Sequence, residues 1–157
     1  MKLLAKKIVK ILTKKKLTIA FAESCTGGMV SSAITAINGS SKVFTFGLIV
    51  YSNKSKINVL KIPKNIIKKY GTVSAQVCLD MVKNISKIAK TNVSLSVTGI
   101  AGPDGGTKKK PVGLVYLGIK KGNKIRIKKY FFKKKGRAYI RKETVNKSLR
   151  LILRTLK

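Results

Sequence analysis

The residues best suited to chemistry are concentrated in one short segment, AESCTGG at residues 22–28. It places a carboxylate, a hydroxyl and a thiol in succession before two glycines, and it makes Ser24 and Cys25 candidate nucleophiles. The 157 residues include no histidine, which excludes Ser-His-Asp and Cys-His mechanisms within one chain. Any general base must therefore be a lysine, a carboxylate or a tyrosine.

Candidate partners for Ser24 follow the next apolar run of the sequence. A lysine that is desolvated and surrounded by other cations can have its pKa lowered enough to accept a hydroxyl proton. Lys54 and Lys56 are both candidates for this base, and the residues alone do not choose between them. Tyr51 could relay or donate a proton. The pattern predicts acyl transfer by a serine and a lysine.

Anion-binding groups are predicted at three places. The backbone N–H groups of Thr26, Gly27 and Gly28 would lie at a helix N-terminus, where they could stabilise an oxyanion or a phosphate. The glycine-rich segment GIAGPDGGT (99–107), which begins with Gly99, could approach an anion closely through its backbone. Arg137, near the start of the last predicted helix, suits a substrate phosphate.

Each of these residues also has a purely structural interpretation. Ser24 could be a helix N-cap, and Cys25 a small buried residue. Glu23 could be a structural carboxylate paired with a lysine, while Lys54 and Lys56 could be solvated surface charges.

The composition is strongly basic, with 36 Lys and Arg residues against four Asp and Glu residues and a formal net charge of +32. Such a charge permits salt-sensitive binding to nucleic acid. The lysines are spread from Lys2 to Lys157 without recurring aromatic partners, so we expect compositional bias and, at most, nonspecific nucleic-acid binding.

Other classes of protein are disfavoured by what the sequence lacks. No apolar run is long enough to span a bilayer, and the basic N-terminal segment 1–16 is typical of an amphipathic helix rather than of a signal peptide. Cys25 and Cys78 form neither a disulfide framework nor a metal-ligand pattern. We expect a cytoplasmic protein with no metal, no cofactor and no membrane partner.

Helical and strand patterns alternate along the chain, which predicts a single α/β domain over residues 1–157 with a mixed sheet covered by helices. A hairpin turn is predicted at Gly122-Asn123, and Ser74 is a predicted N-cap for a helix with apolar positions Val77, Met81, Ile85 and Ile88. The predicted strands are 17–23, 43–51 as a second central strand, 92–98, 112–119 and 124–132. The predicted helices are 1–16, 29–37, a short one from 52 to about 60, a turn from 63, one from 73 to about 88, and one from about 136.

Five motifs in this order resemble the CinA carboxy-terminal domain family. They are AESCTGG, GSSKVFTFGLIVYSNKSK, GTVS, VTGIAGPDGGTKKKPVG and GRAYIRKETV. The resemblance covers roughly residues 5–157 and implies a three-layer α/β/α sandwich in the stand-alone form, without the N-terminal domain of full CinA proteins. It also implies a homodimer.

The resemblance further implies a nicotinamide-nucleotide amidase. Such enzymes hydrolyse the carboxamide of nicotinamide mononucleotide to nicotinate mononucleotide and ammonia, without a metal. The family pattern implies Ser24 as nucleophile, Tyr51 and Lys56 as its catalytic partners, and Thr98 and Arg137 as substrate-binding residues. The alternative is a nucleic-acid-binding protein in which the positive charge is the function and the amidase motifs are remnants.

Overall fold

The computed structural model describes residues 1–133 and 135–157 and has a five-stranded mixed sheet at its centre. The strands are β1 Ile19–Glu23, β2 Phe44–Ile49, β3 Val93–Gly99, β4 Leu114–Lys121 and β5 Lys124–Phe131. The helices are α1 Lys2–Lys14, α2 Met29–Thr35, α3 Asn53–Asn58, α4 Lys64–Tyr70, α5 Ala75–Ala89 and α6 Arg137–Leu156, with a short 3-10 helix at Ser40–Lys42. The order of elements therefore follows the alternation predicted from the sequence.

The strand order is β2-β1-β3-β4-β5. Strand β1 pairs in parallel with β2 and with β3, whereas β4 pairs antiparallel with β3 and with β5. The predicted mixed sheet is thus confirmed. The prediction that the second strand is central is wrong, because β2 forms an edge of the sheet and most of its residues are exposed.

The connections explain why β2 lies at the edge. From β1 the chain passes through α2 to place β2 on one side, and it then returns through α3, α4 and α5 to place β3 on the other side of β1. A run of β-branched and aromatic residues predicts a strand but does not report how many neighbours that strand will have. Because the connections leave β1 in opposite directions, a crevice forms at the carboxyl end of β1.

Helices cover both faces of the sheet, which confirms the three-layer architecture. On one face α1, α2 and α6 pack against the strands through Leu12, Ile34 and Leu149, which are fully buried. On the other face α5 packs against β1 through Met81 and Ile85. Two hydrophobic clusters thus hold the strand ends that carry the polar motifs.

Local signals match the structure at most of the predicted boundaries. The Ser74 side chain accepts a hydrogen bond from the Val77 N–H, as an N-cap does, and Gly122 adopts a positive φ in the two-residue hairpin turn. Ile88 departs from the prediction, since its side chain is exposed although the helical spacing placed it on the apolar face. It lies in the last turn of α5, beyond the cluster that buries Met81 and Ile85. In the part of the chain that the structure describes, no helix has the length and apolar character needed to cross a bilayer.

Candidate active site

The carboxyl ends of β1, β2 and β3 meet at a cleft of about 220 Å³. Six of the predicted site residues line it, namely Ser24, Tyr51, Lys56, Thr98, Gly99 and Arg137. Cys25, Thr72 and the glycine-rich segment from Ile100 to Gly105 complete most of its wall. Because parallel strands end at the same edge of a sheet, motifs that are far apart in the sequence come together here.

Ser24 lies in the turn between β1 and α2 rather than at the cap of the helix. Helix α2 begins at Met29, and its N-cap residue is Gly28, four residues beyond Ser24. The interpretation of Ser24 as an N-cap is therefore wrong. Its hydroxyl instead faces the cleft and is almost fully buried.

Glu23, rather than Ser24, accepts hydrogen bonds from the N–H groups at the start of α2. Its carboxylate accepts hydrogen bonds from the N–H groups of Gly28, Val30 and Ser31 and from the Ser31 hydroxyl, at 2.7–3.1 Å. The expectation that Glu23 pairs with a lysine is wrong, since backbone donors and a hydroxyl surround it. A carboxylate at a helix N-terminus is favoured by the helix dipole, so Glu23 anchors the turn that presents Ser24.

This arrangement changes the predicted role of the glycines. The Gly28 N–H bonds to Glu23, and the Gly27 N–H bonds to the Ser24 carbonyl at 2.9 Å. Thr26 is fully buried, and none of these three residues lines the cleft. The N–H groups of Gly27 and Gly28, which were predicted to face an anion, thus have partners within the turn. Substrate binding by Thr26 stays a prediction.

Lys56 is held against Ser24 by the geometry of the first turn of α3. Ser52 and Ser55 form a reciprocal capping box directly after β2, so the helix begins at once and directs the Lys56 side chain back toward the end of the sheet. The Lys56 Nζ lies 3.0 Å from the Ser24 Oγ, 2.7 Å from the Val50 carbonyl oxygen and 3.2 Å from the Tyr51 carbonyl oxygen. Lys56 is fully buried, whereas Lys54 is exposed, so Lys56 is the lysine that lies beside Ser24.

Burial lowers the pKa of Lys56 to about 8, because the ammonium form loses its hydration. Of the two causes expected, desolvation is the one that lowers this pKa, and neighbouring cations do not contribute; an ionised Cys25 would raise it. About a tenth of Lys56 is thus uncharged at pH 7, and the neutral fraction rises to about half at pH 8.

Cys25 follows Ser24 and lines the same cleft. Burial raises the pKa of its thiol to about 12, so the thiol stays protonated and poorly nucleophilic near neutral pH. Ser24, with an amine at hydrogen-bonding distance, is the better candidate nucleophile.

Tyr51 and Arg137 form a second polar group at the mouth of the cleft. The Arg137 guanidinium donates to the Tyr51 hydroxyl at 2.5 Å and to the Gly102 carbonyl at 3.0 Å. The Tyr51 hydroxyl is therefore engaged by Arg137, and Tyr51 contacts Lys56 through its main-chain oxygen. Arg137 is the first residue of α6, and its side chain is exposed.

Thr98 and Gly99 end β3 on the wall of the cleft. The Thr98 hydroxyl donates to the Thr72 carbonyl at 3.1 Å, which ties β3 to the segment before α5. A Cβ at Gly99 would lie 2.6 Å from Val115 and 3.1 Å from the Cys25 Sγ. The absence of a side chain at Gly99 lets the Ser24 turn approach β3 closely.

Two positioning features were missed in the sequence. One is the pair of main-chain carbonyls, of Val50 and Tyr51, that accept hydrogen bonds from Lys56. Every residue has a main-chain carbonyl, so residue types cannot indicate this feature. The other is Arg141, whose guanidinium donates to the Thr26 carbonyl at 2.9 Å behind the Ser24 turn. The sequence could have indicated Arg141, because an arginine in a chain so rich in lysine suggests a position that needs the planar guanidinium, whose hydrogen bonds lysine cannot reproduce.

With this geometry in place, the comparison with known families is decisive. The model of the CinA C-terminal domain matches residues 1–156. The chain belongs to the CinA C-terminal domain family. This confirms the resemblance that the five motifs carried.

Relatives and solved structures agree with this assignment. A CinA-like protein from Prochlorococcus marinus is 46% identical over 151 residues, covering 93% of this chain and 35% of that protein. A Thermoanaerobacter pseudethanolicus protein described as competence-damage inducible is 45% identical over 149 residues, covering 95% of this chain and 36% of that protein. The chain thus spans about a third of the length of these relatives. The crystal structure of competence/damage inducible protein CihA from Agrobacterium tumefaciens superposes with a TM-score of 0.95 at 36% identity, covering 99% of this chain and 94% of that one.

Proposed function

We propose that this CinA domain is an amidase that hydrolyses the carboxamide of nicotinamide mononucleotide, using Ser24 as nucleophile and Lys56 as base. The observation that supports it best is the 3.0 Å distance between the Lys56 Nζ and the Ser24 Oγ in a buried setting. A serine hydroxyl becomes a useful nucleophile only when a neighbouring group can take its proton.

The surroundings of Lys56 suit a neutral amine that acts as a base. A neutral amine has two N–H donors and one lone pair. The Val50 and Tyr51 carbonyls accept hydrogen bonds from the amine, and the remaining position is directed at the Ser24 hydroxyl. Once Lys56 has taken the proton, its three N–H donors have three acceptors. Both states of the transfer are therefore accommodated without rearrangement.

The reaction would proceed through an acyl-enzyme. The Ser24 oxygen attacks the carboxamide carbon while Lys56 takes the hydroxyl proton, and the resulting tetrahedral intermediate carries an oxyanion. The N–H of Cys25, the residue after the nucleophile, is the donor best placed in sequence to meet that oxyanion. The Lys56 ammonium then gives its proton to the departing nitrogen, which leaves as ammonia. Water, deprotonated by Lys56, hydrolyses the Ser24 ester and releases nicotinate mononucleotide.

Arg137 supports a substrate with a phosphate. Its guanidinium lines the same cleft as Ser24 and lies at the start of α6, and both a guanidinium and the N-terminal N–H groups of a helix favour a phosphate. Binding of the phosphate there would hold the amide at the opposite end, beside Ser24.

The proposal is tested by measuring ammonia release from nicotinamide mononucleotide by the wild type and by Ser24→Ala. Ser32→Ala, on the exposed face of α2, is the matched control. We expect Ser24→Ala to lose activity by a factor on the order of 10³ or more and Ser32→Ala to retain it. Mass spectrometry of acid-quenched wild type should find the nicotinate mononucleotide acyl group on the peptide that contains Ser24.

Two results would overturn the proposal. One is unchanged turnover by Ser24→Ala. The other is a wild type that binds nicotinamide mononucleotide and releases no ammonia from it between pH 7 and 9. Assays with nicotinamide riboside, which lacks the phosphate, distinguish a wrong assignment of the substrate from a wrong assignment of the reaction.

A further inference from the structure

The two edges of the central sheet differ in charge. The outer strand β5 carries four cations among its eight residues, Lys124, Arg126, Lys128 and Lys129. The opposite edge strand β2, with the sequence FTFGLI, carries none, and the uncharged stretch extends over residues 43–53. Charged side chains on an edge strand prevent other strands from pairing with it. In this chain β5 has that protection and β2 lacks it.

The unprotected edge is also apolar. Phe46 is 36% exposed, Ile49 58% and Val59, on the adjoining α3, 45%. Tyr51, directly beyond β2, is 54% exposed. In a protein that fills so many exposed positions with lysine, four exposed apolar or aromatic side chains beside one edge form a surface suited to association.

The backbone of β2 is open to a further strand. The Val50 N–H bonds to the Glu23 carbonyl of β1, and alternate residues of a strand direct their N–H and C=O groups to opposite sides. Gly47 and Ile49 therefore direct these groups away from β1.

Charge indicates what kind of partner this edge fits. An acidic protein or a nucleic acid would gain most from the lysine-rich surfaces elsewhere on the chain, and little from an uncharged strand. A second copy carries the same charge of +32 and is repelled by those surfaces. Two copies can approach closely only through surfaces without charge, and β2 offers such a surface together with open hydrogen-bonding groups.

We infer that β2 is the contact between two copies of this chain. The two β2 strands pair antiparallel across a two-fold axis near Gly47, which joins the two five-stranded sheets into one continuous sheet. The interface ends at Tyr51, beside the cleft.

The experiment is sedimentation equilibrium of the wild type and of Phe46→Lys/Ile49→Lys, with Phe131→Lys as the matched control. Phe131 is an exposed aromatic residue on the other edge strand, 60% exposed. We expect the double variant to raise the dimer dissociation constant about 100-fold or more, because it brings two added lysines from each copy into one interface, and the control to leave it unchanged. Added salt should strengthen the wild-type dimer, since it screens the repulsion between two positive chains.

Hydrogen exchange gives a second measurement that does not depend on a variant. The amides of Gly47 and Ile49 should become protected as the wild-type concentration rises, while the amides at the outer edge of β5 should not. A wild type that is monomeric at all concentrations overturns the inference. A dimer that persists unchanged in a folded Phe46→Lys/Ile49→Lys variant, or one that salt weakens, overturns it as well. None of these measurements uses amidase activity, so the inference and the proposed reaction can fail separately.

Discussion

The Lys56 amine lies 3.0 Å from the Ser24 hydroxyl, and 32 residues separate the two in the chain. Both side chains are buried, and two main-chain carbonyls at the end of β2 hold the amine in place. A base that is both desolvated and oriented makes the proposed reaction sensitive to pH and to small changes around this pair.

The pH dependence follows from the pKa of Lys56, which burial lowers to about 8. Only the neutral amine can accept the Ser24 proton, and protonation below this pKa removes the base. We expect kcat/KM for nicotinamide mononucleotide to fall about tenfold per pH unit below about pH 8 and to level off above it. Initial rates between pH 6 and 10 measure this directly. A profile that stays flat through pH 8 contradicts Lys56 as the base.

Replacement of the two candidate lysines should have opposite outcomes. Lys56→Met keeps much of the buried volume and removes the amine, so we expect activity to fall by a factor on the order of 10²–10⁴. Lys54→Ala alters only an exposed side chain two residues away and should stay within about twofold of the wild type. Ammonia release measures both, and circular dichroism checks that each variant is folded. Equal losses in the two variants would count against a specific role for Lys56.

Arg137 should act on substrate binding more than on the chemical step. Lysine cannot reproduce the paired hydrogen bonds to the Tyr51 hydroxyl and the Gly102 carbonyl, so we expect Arg137→Lys to raise KM about 10–100-fold with a smaller change in kcat. Arg150→Lys, on the exposed part of the same helix, is the control. Nicotinamide riboside should be nearly insensitive to Arg137→Lys if the guanidinium meets the phosphate. Equal effects on both substrates would place the phosphate elsewhere.

Glu23 should matter for stability as well as for rate. Glu23→Gln replaces one acceptor oxygen with an amide NH₂ group that faces backbone donors, and it removes the negative charge from the N-terminus of α2. We expect the free energy of unfolding to fall by about 1–3 kcal/mol and kcat to fall more than KM changes. Urea denaturation gives the first quantity. Glu143→Gln, at a half-buried position of α6, should change neither.

Binding to DNA separates the amidase from the nucleic-acid-binding alternative. Lysines spread over the whole chain predict weak, sequence-independent affinity that decreases steeply between about 50 and 200 mM salt. Fluorescence anisotropy with a labelled duplex measures the salt dependence. Tight binding that persists at the higher salt concentration, together with no ammonia release, would support the alternative.

Much of the fold followed from local patterns. The spacing of apolar residues predicted the helices, Gly122-Asn123 predicted the hairpin, and Ser74 predicted a helix start, because each signal depends on residues close in the chain. The edge position of β2 could not be predicted in this way. Its composition is that of a buried strand, and the direction of the chain connections, rather than residue type, decides which strands have two neighbours.

The same division applies to the candidate site. Residue types show which groups are available: a serine and a thiol after one strand, lysines after the next, glycines after a third, an arginine at the start of the last helix, and no histidine. The folded chain shows that Lys56 and not Lys54 faces Ser24, and that Glu23 accepts the Gly28 N–H, one of the groups predicted to face an anion. The physical reason is that burial and hydrogen-bond partners come from residues distant in the chain, and these set a pKa and a direction that the identity of a side chain does not contain.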